Sequence, residues 1–93
     1  MTAQTDRIKR MEMILDEGKE ALKNLNDAID YYLRLQPSIK ELQCYYENGG
    51  WMQDFKDDEA GLFPKDLKRG VLSEDEVYNF LEENDALKTR IRL

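Results

Sequence analysis

Histidine is missing from this 93-residue chain, which removes the commonest general base and the commonest imidazole metal ligand. A lone cysteine, Cys44, excludes an internal disulfide. With no histidine to activate it, and with Leu42 and Tyr45 beside it in a helical pattern, Cys44 reads as a small buried hydrophobe. No apolar run approaches the roughly 20 residues that a membrane helix needs. The opening Met1-Thr2-Ala3-Gln4-Thr5-Asp6 lacks the apolar segment of a secretory leader. These absences together predict a cytoplasmic protein. The net charge of −6 argues against a general affinity for nucleic acid, whose phosphates reward cations.

Metal and phosphate chemistry fare no better. Glu47-Asn48-Gly49-Gly50-Trp51 lacks the Lys and the Ser or Thr of a phosphate-binding loop. The acidic cluster Asp54, Asp57, Asp58 and Glu59 fails the calcium-loop template, because Lys56 stands at a ligand position and the loop glycine is missing. It reads as a solvated helix face. A hydrolase built on two carboxylates would need them about 5–10 Å apart in a cleft, and so acidic a chain offers many pairs by chance. No cofactor is expected, and added metal ions should leave the fold unchanged.

What is present is helical patterning. Ile8, Met11, Leu15, Leu22, Leu25, Ile29 and Tyr32 alternate in steps of three and four, interrupted only by Gly18. Ile14, Ala21, Ala28 and Leu35 widen the stripe enough to face a multi-helix core. Thr5 or Asp6 can cap this helix, which runs for about 30 residues, on the order of 45 Å. Gly18 costs up to about 1 kcal/mol relative to Ala, and either weakens the helix or admits a close neighbour. A stripe this long in so short a chain predicts self-association through whatever part the other segments leave uncovered.

Pro37 ends or kinks the helix; a bent continuous helix is the alternative. Ser38 and Glu41 have capping-box spacing for a restart, and Asn48-Gly49-Gly50 can close it in a left-handed conformation. Trp51, Met52 and Phe55 then predict a short helix through Ala60, stopped by Gly61. Between Tyr45 and Glu76 lie four of the five glycines, so breaks concentrate there. Ser73-Glu74-Asp75-Glu76 reads as the start of a last helix, with Val77, Phe80, Leu81, Leu87 and Ile91 as its stripe and Asn84 inside it. The chain is therefore predicted to be one all-α domain over residues 1–93. A long N-terminal helix packs with a C-terminal one, with one or two short helices and a Gly/Pro connector between them.

The connector holds the candidate site. Lys65, Lys68 and Arg69 form a basic cluster in an acidic protein, just before a helix start that could help hold an anion. The plainer reading pairs Lys68 and Arg69 with Glu74, Asp75 and Glu76. Trp51, Phe55, Phe63 and Leu67 are the expected anchors of the connector against the helices.

At these residues a likeness emerges. Tyr45-Tyr46, Trp51, Asp54, Gly61, Pro64 and the run Asp66-Leu67-Lys68-Arg69-Gly70-Val71-Leu72-Ser73-Glu74-Asp75 resemble a small bacterial family known only as domain of unknown function 4298. The opening Arg7-Ile8-Lys9-Arg10-Met11-Glu12 resembles that family's start, so the likeness covers nearly the whole chain. It implies a bacterial cytoplasmic source and a stand-alone helical domain, and no activity. The leading expectation is a non-enzymatic module that binds a protein partner, without nucleic acid or membrane. The alternative is an anion or nucleotide sensor using Lys65, Lys68 and Arg69.

Overall fold

The computed structural model describes residues 2–92. It is all-α, with α1 at Ala3–Glu47, α2 at Gly50–Glu59, a 3-10 turn at Gly70–Leu72 and α3 at Glu76–Ile91. No helix among the described residues is long and apolar enough to cross a membrane. The chain divides into two compact units, Met1–Pro37 and Ser38–Leu93.

The first unit is helical from Ala3. Its cap is Thr2, whose Oγ1 accepts the Thr5 N–H at 3.1 Å, so the helix starts before the expected caps Thr5 and Asp6. Pro37 lies inside α1 and does not end it. A proline removes one backbone donor, here the one that would meet the Leu33 carbonyl, and the helical bonds on either side carry the helix through. The restart expected at Ser38 is therefore absent, and the alternative of a continuous helix holds. Within this unit the apolar stripe has no cover. Ile8, Met11, Ile14, Leu15, Leu22 and Leu25 stand between 48% and 64% exposed, and no residue of α1 is buried. Gly18 has open space where a Cβ would be, so the first unit itself supplies no close neighbour there.

The second unit owns the core. Trp51, Leu72, Val77 and the polar Asn84 are its buried residues. Gly49, at φ 94°, turns the chain from α1 into α2, as the left-handed reading of Asn48-Gly49-Gly50 requires. The end of α2 is a Schellman motif: the Gly61 N–H reaches the Asp58 carbonyl and the Leu62 N–H reaches that of Asp57, with Gly61 at φ 76°. The last helix begins at Glu76, later than the Ser73 cap predicts. Ser73 instead follows the 3-10 turn in extended backbone, and no side chain caps α3. Burial of Leu72 by that turn decides the matter, because it draws Gly70–Leu72 inward before the helix can start.

Candidate interaction site

Everything in the second unit converges on Trp51. Its indole lies parallel to Phe55 with centroids 5.0 Å apart, and Tyr46 meets it edge-on at 5.3 Å. The indole Nε1 donates to the Val71 carbonyl at 2.7 Å, fastening the 3-10 turn onto α2. A buried indole N–H needs such a partner, and this one fixes where Val71 and Leu72 stand. Trp51 is thus the core plug expected of it.

A second clasp joins the end of α1 to α2. The Tyr45 hydroxyl donates to Asp54 Oδ2 at 2.7 Å. Gly50 sits under the Tyr45 ring, so that a Cβ there would lie 3.0 Å from its Cδ1. Partial burial, then the hydrogen bond to Asp54 and its negative charge, push the Tyr45 hydroxyl up to about 12 from its ordinary 10.0. The neutral phenol is the form that the fold favours. Its contribution to stability is complete below pH 10 and is lost as the pH rises through 12. Phenolate absorbance should show a late-titrating step that Tyr45→Phe removes, and the variant should lose less stability than the parent between those limits.

The third clasp involves Arg69. Its Nη2 donates to the Pro64 carbonyl at 2.6 Å, closing the connector on itself. Its Nε lies 3.0 Å from Asp58 Oδ1, an ion pair by distance whose N–H is not aligned for a hydrogen bond. Arg69 is therefore a pin, as the plainer reading had it, though its partner is Asp58 and not the carboxylates that follow. The acidic face of α2 is also in use. Asp54 holds Tyr45, Asp57 accepts the Gln53 amide at 3.0 Å, and Asp58 holds Arg69.

Beside these clasps lies an open groove of about 390 Å³, lined by Leu42, Gly70, Val71, Val77 and Phe80, with Lys68 and Glu76 contributing one charge of each sign. Of the three cations singled out from the sequence, only Lys68 reaches it. Lys65 is exposed, and Arg69 is committed elsewhere. Among the predicted anchors, Trp51 is buried and Phe55 and Phe63 are half-buried, but Leu67 is 47% exposed. The turn closed by the Leu67 N–H on the Pro64 carbonyl leaves that side chain outside, and Leu72 takes the anchoring part. Cys44, expected to be buried, is exposed, while its helix neighbours Leu42, Tyr45 and Tyr46 are the partly covered ones.

Residues 8–92 match the family described as domain of unknown function (DUF4298). The chain belongs to this family. The residues carrying its likeness, Tyr45, Tyr46, Trp51, Asp54, Gly61 and Arg69, are those that make the clasps and the helix stop. The chain is also 24% identical over 92 residues to protein kinase C delta type of Rattus norvegicus. That match covers 96% of this chain but 14% of the kinase, too small a share to carry the kinase's activity across. No solved structure matches.

Sequence reasoning missed the Tyr45–Asp54 and Arg69–Asp58 pairs. Neither has a helical spacing, since one bridges nine residues and the other eleven across a connector, so no periodic signal announces them. The residues that carry the likeness include Tyr45, Asp54 and Arg69, which was the available pointer.

Proposed function

We propose that this protein is a non-enzymatic interaction module of the bacterial cytoplasm, binding a partner protein through the groove beside its connector. The observation that supports this reading is the groove's make-up. Val71 and Phe80 remain partly exposed on walls otherwise formed by Leu42 and Val77, and the two rim charges oppose each other. Such a surface suits an apolar side chain or helix edge of a partner better than a phosphate, which needs converging donors. The clasps hold the backbone around the groove, which would limit the ordering entropy lost on binding.

The test is affinity capture from bacterial lysate with the parent, Phe80→Asp and Lys68→Glu chains. Phe80→Asp should lose the partner while retaining its far-ultraviolet spectrum, and Lys68→Glu should weaken capture only modestly. If Phe80→Asp captures as well as the parent, the groove is not the site. Thermal stabilisation by nucleotide or phosphate, abolished by Lys68→Glu, would favour the sensor reading.

A further inference from the structure

The first unit presents an apolar helix face with no cover of its own. Isolated helices draw little stability from propensity, and most of it comes from packing an apolar side. Something outside this stretch must complete it. We infer that the occupant is a second copy of the same chain, laid antiparallel so that residues 8–25 of each helix pair with residues 25–8 of the other.

The register follows from the sequence. In an antiparallel seam each core residue meets the partner residue at its own level. Pairing Ile8 with Leu25, Met11 with Leu22 and Leu15 with Gly18 uses every exposed core position from 8 to 25 and leaves none unmatched. The helix glycine is then filled by a leucine, which explains a residue that costs about 1 kcal/mol and touches nothing in its own unit. On one flank of the seam Ile14 falls beside Ala21, large against small. On the other flank Glu12 falls beside Lys19, opposite charges repeated twice by the symmetry. A parallel pair would instead set Gly18 against Gly18, opening a hole, and Ile14 beside Lys19. Its one compensation is Arg7 beside Glu12.

Size is consistent with such a pair. Six large side chains about half exposed offer on the order of 600 Å² per chain, so a dimer would bury about 1,200 Å², the lower edge for a specific interface. A reversible, concentration-dependent dimer is therefore expected.

Light scattering and sedimentation of the full chain should show the mass rising from 11.0 kDa toward twice that value over a hundredfold concentration range. Leu15→Glu with Leu22→Glu should weaken pairing by about a hundredfold or more, since two core leucines are lost from each chain. Trp51 emission should not change, which shows that the second unit is still folded. Orientation is read in a Cys44→Ser background by oxidising a mixture of Met11→Cys and Leu22→Cys chains, one of them tagged. Mixed disulfide dimers support the antiparallel seam. Predominantly like-with-like dimers overturn it, and a monomer mass at every concentration overturns the pairing itself and leaves the face to a different protein.

Discussion

Replacing Trp51 by alanine is expected to unfold residues 38–93 cooperatively. Truncating a buried tryptophan costs about 3–5 kcal/mol. A unit of this size, at roughly 0.05–0.15 kcal/mol per residue, has on the order of 3–8 kcal/mol in total. The loss is wider than cavity formation. The Val71 carbonyl loses its donor, and Phe55 and Tyr46 lose the ring between them. Trp51→Phe is the milder test, because it keeps an aromatic plug while losing the N–H and part of the ring, at about 1–3 kcal/mol. Near-ultraviolet dichroism with urea unfolding is the measurement. A cooperative transition for Trp51→Ala close to the parent's would mean that the connector is held by something other than this ring.

Reversing Arg69 is the second large effect, and it should differ sharply from reversing Lys68. Arg69→Glu removes the donor to Pro64 and sets a carboxylate beside the half-buried Asp58. Because that pair is only partly shielded from water, the expected cost is about 1–3 kcal/mol, below that of a fully buried pair. Lys68→Glu, at an exposed side chain, should change stability by no more than about 0.5 kcal/mol. The midpoint of thermal unfolding should fall by several degrees for the first and hardly move for the second. Asp58→Asn tests the pairing from the other side, since it leaves the Pro64 contact intact and should cost less than Arg69→Glu. Equal midpoints for the Lys68 and Arg69 variants would return Arg69 to the exposed surface.

Helix class, helix order and the glycine stops were legible because each rests on local physics. Gly49 and Gly61 adopt positive φ where a stop was needed, and α2 runs between them. Pro37 shows where local physics was outweighed. One lost hydrogen bond is a small defect in a helix whose bonds continue on both sides. The start of α3 was misread for a different reason. Ser73 and Glu76 have cap spacing, but burying Leu72 through a 3-10 turn governs the backbone just before them. Burial itself was the least legible quantity. A stripe announces which side of a helix is apolar and is silent on what covers it, which is why Ile8 to Leu25 look like core in the sequence and have no cover within their own unit. Of the candidate site, Trp51 is the anchor its aromatic size announced, whereas Arg69, named both as a binding cation and as a pin, holds the connector closed through Pro64 and Asp58, partners that no local pattern indicates.

The bond from Trp51 to Val71 reaches only 20 residues along the chain. Bringing two such points together closes a short loop, and doubling its length would add only about 0.6 kcal/mol. The clasps at Tyr45 and Arg69 span even less. Helical proteins assembled from contacts this local reach the native state in microseconds to milliseconds, and the core can form while the chain upstream is still unpaired. Finding a second copy is a diffusive encounter, slower at low concentration, so a newly made chain would have its groove ready before its first helix has found cover.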